Sequence, residues 1–196
     1  LVPMEGAAVY WAHRLVGRMR KAEQAGDGLR KEMLRESMNQ EMILREKMVQ
    51  EAMPQESMLR ETIAGRLKDL DRRLTVSRLA RESREGGIKI GRRYLRLIAE
   101  LYPQSGMDEY ARWIEEGTCY GHPCIVHGWI CAYLEQTAEA AVLSYLYVGT
   151  NNMIQNALRA MAIGQTAGQK VLHQLLPLLE KEAESLVQRP PALERL

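Results

Sequence analysis

Cys119, His122, Cys124 and His127 fall in the pattern Cys-x-x-His-x-Cys-x-x-His, and Cys131 follows one helical turn later. Thiolate and imidazole donors at this spacing have the chemistry to hold zinc or nickel. Closed structural sites, however, usually draw ligand pairs from two separated segments, and all four candidates here lie within nine residues. Pro123 suits the first position of a helix, which would put Cys124 and His127 three apart on one face. Small buried thiols are common core residues. The expectation is therefore that Cys124 and Cys131 pack in a core, that His122 ends a loop, and that the four do not converge on one metal.

Other chemistry has less to stand on. The chain has no Ser/His/Asp order, no H-E-x-x-H, no Walker loop and no G-x-G-x-x-G, so nothing points to an enzyme. His13 and His173 have no acidic or thiol partner nearby in sequence. Arg72, Arg73, Arg78, Arg81 and Arg84 are interleaved with acids and lack the aromatic residues that stack bases, so they read as a solvated or protein-contact face. A second polar group stands out because its context is apolar. Asn151, Asn152, Gln155 and Asn156 interrupt a segment expected to be buried, and buried amides need partners on another helix or another chain. Arg159 follows, then Gly164-Gln165-Thr166-Ala167-Gly168-Gln169-Lys170, a glycine-containing interhelix turn with Thr166 as a cap candidate.

Helices are the elements that must position these residues. Apolar residues recur at helical spacing over Met4 to Ala25, where Gly26-Asp27-Gly28 is expected to break the chain. The same spacing recurs through Leu67, Leu70 and Leu74, and over Ile88 to Tyr102 through Ile90, Tyr94, Leu97, Ile98 and Leu101. Further helices are expected at Met107 to Glu116, Pro123 to Leu134, Thr137 to Met161 and Thr166 to Val187, the last kinked at Pro177. Pro123 to Leu134 and Thr137 to Met161 are the most apolar and should form the core. No alternating run of strand length occurs, so the class is all-α, a compact multi-helix bundle in one domain over 1–196 (first helix 1–29, solvated insertion 30–64, helical core 65–187, tail 188–196).

Bulk properties agree with such a domain. The 196 residues are 46% hydrophobic and 27% charged with a formal charge of +2, a near-neutral balance that argues against a phosphate-backbone clamp. No apolar run approaches a bilayer span, and the opening Leu1-Val2-Pro3-Met4-Glu5-Gly6 shows no secretory pattern. Lacking an initial Met, the chain is expected to have lost its natural N-terminus. Three clustered cysteines make a poor disulfide framework and favour a reducing compartment.

From Arg30 the sequence runs in blocks of five, with Glu at 36, 41, 46, 51, 56 and 61, Met at 33, 38, 48, 53 and 58, and Ile43 and Ile63 in the Met register. Five residues advance about 140° past a full helical turn, so the Met side chains spiral and form no stripe. Residues 30–64 are thus expected to add almost nothing to the core, as frayed helix or disorder, with Pro54 interrupting any helix.

Several motifs occur in the order of one family. Asn156-Ala157-x-Arg159 with Ile163-Gly164-Gln165-Thr166-x-Gly168-Gln169 resembles the N-A-x-R-x-x-P-L-G-Q-x-x-G-Q signature of urease accessory protein F. Tyr145-Leu146-Tyr147 is similar to its A-Y-L-Y segment, and Tyr120-Gly121-His122 through Gly128 to its G-H-x-P-V-V-x-G helix start. Arg81-Glu82-x-Arg84-Glu85 with Gly91-Arg92-Arg93-Tyr94-Leu95, preceded by Leu70-Asp71-x-x-Leu74, resembles its R-E-x-R-x-x-x-x-x-G-R-x-L-L segment. The likeness covers about 66–186. Ala162 stands where the family has Pro, Pro123 is displaced by one position, the family's N-terminal motif and C-terminal arginine tail are missing, and the pentads insert between helices.

The resemblance implies a non-enzymatic, cytoplasmic scaffold without a resident cofactor. It implies partners in the nickel-carrying accessory GTPase (protein G) and accessory protein D/H, the assembly delivering nickel to apo-urease, with a homodimer left open and neither nucleic acid nor membrane involved. Arg159, Gln165, Gln169 and Lys170 are then expected near the GTPase surface. The alternatives are a small metal-binding protein using the Cys/His cluster and a helical nucleic-acid module using Arg72 to Arg93.

Overall fold

A computed structural model describes the backbone of residues 2–36, 42–161 and 164–193, and their side chains apart from residues 2–3, 29, 32–36 and 42–56. The helices are α1 (Val2–Glu36), α2 (Met42–Ser77), α3 (Arg81–Leu101), α4 (Met107–Glu115), α5 (Pro123–Tyr133), α6 (Ala138–Ala160) and α7 (Gln165–Gln188), with a 3-10 turn at Pro103–Ser105. Among the described residues there is no strand, and the protein is all-α.

The shortest apolar helix is the centre. Pro123 occupies the first turn of α5, where its missing N–H costs nothing. From Cys124 to Ala132 every residue of α5 except His127 is buried. Its main neighbour is α1. The two backbones approach closely at Gly128, where an added Cβ would lie 2.6 Å from the Val9 carbonyl oxygen and 2.8 Å from Ala12 Cβ. Small residues on both sides make that approach possible, and Trp129 fills the far side against Tyr110 and Trp113. Helices α1 and α2 run antiparallel, tied by Arg78 to Glu5 at one end and by Arg60 to Glu23 (3.1 Å) further along. Thr137 caps α6, its hydroxyl accepting from the Ala140 N–H at 3.1 Å.

Five sequence expectations are corrected. Gly26-Asp27-Gly28 does not break α1, and α2 runs through Pro54. A helical glycine costs only about 1 kcal/mol, and a proline forfeits one hydrogen bond that a helix can carry as a local bend. The core also begins inside the pentads. Ile63 is 2% exposed, because Ile63, Leu67, Leu70 and Leu74 form one i, i+4, i+7, i+11 stripe on α2. Met58, five residues earlier and rotated away, is 67% exposed. Met33, Met38, Met48 and Met53 lie outside the residues whose side chains are described.

On α3 the buried side is Gly91, Leu95 and Ile98, whereas Ile90, Leu97 and Leu101 face outward. Gly91 decides this orientation: a Cβ there would meet the Gly121 carbonyl oxygen at 2.0 Å, so α3 seats its glycine on the loop before α5. Finally, α6 is core only over its first half. Ala141, Val142, Leu146 and Thr150 are buried, and none of its described residues beyond Thr150 is.

Candidate functional site

The second half of α6 and the first half of α7 form a helical hairpin whose tip carries Arg159, Gln165, Gln169 and Lys170. The Met161 N–H closes α6 onto the Ala157 carbonyl, and Gly164 caps α7, its carbonyl accepting from Ala167 (3.0 Å) and Gly168 (3.2 Å). Gly164 thus takes the place expected of Thr166, and it makes no side-chain cap bond. Gly168 sets how closely the helices lie, since a Cβ there would sit 2.7 Å from Leu158 Cδ1 and 3.3 Å from Ile154 Cγ2.

All four sequence-predicted residues are exposed at this tip. Arg159 Nη2 donates to Asn156 Oδ1, which holds the guanidinium along the last turn of α6, where the helix dipole favours a cation. Among the described residues, Gln165, Gln169 and Lys170 have no side-chain hydrogen bond. The amides expected to be buried are not: Asn152 and Asn156 are exposed, and Asn151 and Gln155 are half-buried. Apolar residues share the surface, with Met153, Met161 and Val171 each about half exposed. Polar groups without internal partners mixed with uncovered apolar ones have the composition of a contact surface.

The Cys/His cluster is dispersed. Cys119 and Cys124 are buried, and burial pushes both thiols up to about 12. Burial likewise raises the Cys131 thiol, to about 11. His122 turns inward and His127 outward toward α3 and α6. His127 Nε2 donates to Ser144 Oγ at 2.9 Å, whose own proton goes to the Ala141 carbonyl, while Nδ1 accepts from the Tyr94 hydroxyl at 3.1 Å. Burial lowers the pKa of His127. Among the described residues no group of three His, Cys, Asp or Glu side chains is arranged to hold a metal. A thiol must lose its proton to ligate a metal, and burial opposes that loss at all three cysteines.

Sequence reading missed a buried polar knot. Asp71, fully buried on α2, accepts from the Tyr110 hydroxyl, from the Tyr120 N–H at 2.7 Å and from the Gly121 N–H at 3.2 Å. The His122 N–H donates to the Tyr110 oxygen at 3.2 Å. Thr75 gives its proton to the Asp71 carbonyl, so His122 Nε2, 2.7 Å away, donates to the Thr75 oxygen. Burial drives the His122 imidazole down to about 4, with Arg78 adding to the effect and Asp71 opposing it. Arg78, assigned from sequence to a solvated or protein-contact face, is buried beside Glu5. The one available signal was a carboxylate at position 71 inside the stripe Leu70 to Leu74.

The UreF family profile matches residues 19–176. The chain belongs to the UreF family. It is 39% identical over 124 residues to urease accessory protein UreF of a Bacillus species, covering 63% of this chain and 55% of that protein. UreF of Lachnoclostridium phytofermentans is 43% identical over 103 residues (53% and 45% covered), and UreF of Kocuria rhizophila 36% over 107 (55% and 46%). The chain thus spans about half the length of the curated UreF relatives it matches. No solved structure matches it significantly. Both the α6–α7 tip and the Asp71 knot lie inside the UreF match. No helix among the described residues is long and apolar enough to cross a membrane.

Proposed function

We propose that this chain acts as a urease accessory scaffold that binds the accessory GTPase, protein G, and accessory protein D/H, and so assists nickel insertion into apo-urease in the cytoplasm. It contributes surface rather than catalysis, and the nickel is cargo of the assembled complex, not a cofactor of this chain. The observation that carries the reading is the α6–α7 tip, which combines exposed Arg159, Gln165, Gln169 and Lys170 with uncovered Met153, Met161 and Val171 on two helices locked at Gly168. A preformed surface of this kind loses little conformational freedom on binding. To influence a GTPase it must bind one nucleotide state better than the other, because only differential affinity shifts an equilibrium.

The test is a pull-down of the accessory GTPase and protein D/H from the same source with the tagged chain. Retention of the GTPase is the expected result. Failure to retain either partner, with native helicity, would remove the scaffold reading for this chain.

A further inference from the structure

A second feature lies on the opposite side of α1 from α2's charged contacts and is unrelated to the α6–α7 tip. An open cleft of about 540 Å³ separates α1 from the turn between α5 and α6. Its α1 wall carries Arg14, Arg18, Arg20 and Lys21, and among the described residues the single acid lining it is Glu135. Arg14, Arg18 and Lys21 fall at i, i+4 and i+7, a row of like charges on one helix face. Such a row costs a few tenths of a kcal/mol per pair unless acids are interleaved. None is: Glu23, the nearest acid on α1, is engaged by Arg60. Among the described residues, Arg14, Arg18 and Lys21 have no ion-pair or hydrogen-bond partner.

The rest of the cleft is built rather than incidental. Arg20 is fixed, donating to the Ala132 carbonyl at 3.1 Å and the Tyr133 carbonyl at 2.6 Å, with its guanidinium 4.7 Å from the Tyr133 ring centroid. Among the described residues its charge meets carbonyls and a ring face, and no carboxylate neutralises it. His13 Nε2 bonds the Gln136 carbonyl at 2.8 Å, while its buried Nδ1 has no partner. Gly17 forms the floor, and nothing lies within 4 Å of where its Cβ would be. A helix-interior glycine with open space above it keeps room between cations at the cost of helix propensity.

We propose that this cleft binds a small multivalent oxyanion, a ligand bearing two or more phosphate or carboxylate groups, through Arg14, Arg18 and Lys21. Two guanidinium forks and an ammonium suit adjacent oxyanion groups, since guanidinium bonds them in pairs and ammonium acts as a point charge. The volume is that of a small-ligand site. Binding requires no urease partner.

The experiment is calorimetric titration of the whole chain with inorganic pyrophosphate and, separately, with citrate, at low and moderate salt. Saturable binding of at least one is expected, weakened several-fold by salt. Arg14→Gln with Arg18→Gln should weaken it about tenfold or more, as expected for lost charge-assisted hydrogen bonds. Gly17→Leu should abolish it by filling the floor while raising the melting temperature, which separates blockage from misfolding. The control, Lys89→Gln with Arg93→Gln on α3, should leave binding unchanged. Pyrophosphate alone would assign phosphate chemistry, and citrate as well a general polyanion site. No binding of either anion, binding that survives Gly17→Leu, equal loss in the control, or capture of a polyglutamate peptide without either small anion would each overturn the proposal. Because no partner protein takes part, its failure leaves the scaffold reading intact.

Discussion

The Asp71 knot and the α6–α7 tip are both rich in polar side chains, and they use them in opposite ways. Around Asp71 each carboxylate oxygen is engaged, by one backbone N–H and, on the other side, by a second N–H and a phenol, and the surrounding thiols and imidazole are held neutral by burial. At the tip, Gln165, Gln169 and Lys170 are exposed beside uncovered methionines, and among the described residues only Arg159 of these four has a side-chain hydrogen bond. Buried polar groups must find internal partners or destabilise the fold. Exposed ones face no such constraint, so polar residues on a rigid surface remain available to another molecule. The knot is therefore expected to answer mutation through stability and the tip through binding.

The largest effect should come from Asp71→Ala. It would strand the Tyr110 hydroxyl and two backbone N–H groups, at about 1–2 kcal/mol each. A loss of roughly 3–6 kcal/mol in urea unfolding is expected, and a change under about 1 kcal/mol would mean that the knot is not structural.

Acid is the next lever. His122 titrates near 4 when folded against about 6.5 when unfolded, so between those values the unfolded chain binds more protons. Stability should be full above pH 6.5, fall by about 1.4 kcal/mol per pH unit for this site on descending toward 4, and level off below. His13 and His127, both lowered by burial, add to the same slope. In melts at stepped pH, His122→Gln should flatten one proton's share of that slope. An unchanged slope would contradict the buried neutral imidazole.

Smaller still is Gly168→Ala, which bridges the two regimes. Its Cβ would press on Leu158 Cδ1, the flexible end of a side chain, while alanine recovers about 1 kcal/mol of helix propensity. The net change in stability should stay below about 1 kcal/mol. At the tip itself, Arg159→Ala and Lys170→Ala should change stability by no more than about 0.5 kcal/mol.

How much of this was legible in the sequence follows from what a period can and cannot encode. Apolar spacing located the helices, and Pro123 and Thr137 marked the starts of α5 and α6. It did not say which of two apolar faces on α3 turns inward, because the choice rests on contact between Gly91 and the Gly121 carbonyl, thirty residues away in sequence. Ile63 was legible as part of the Leu67 to Leu74 stripe but hidden by the pentad that overlaps it. Apolar content placed all of α6 in the core, although none of its described residues beyond Thr150 is buried and Ile154 and Leu158 pack on α7 at Gly168. Asp71 looked like one charge among many, since hydrogen bonds to Tyr110, Tyr120 and Gly121 depend on tertiary approach. The exposure of Arg159, Gln165, Gln169 and Lys170 beside an interhelix turn, by contrast, was legible from type and order alone, because polar groups flanking a glycine turn need no distant partner.

The most direct test of the division between knot and tip is titration of the accessory GTPase with the wild-type chain, Arg159→Ala and Lys170→Ala, with circular dichroism on each. The account predicts that the wild type binds and that each variant binds about three- to thirtyfold more weakly, the range for charged contacts at an interface rim and toward its core, with native helicity throughout. Unchanged affinity in both variants, at native helicity, would contradict it.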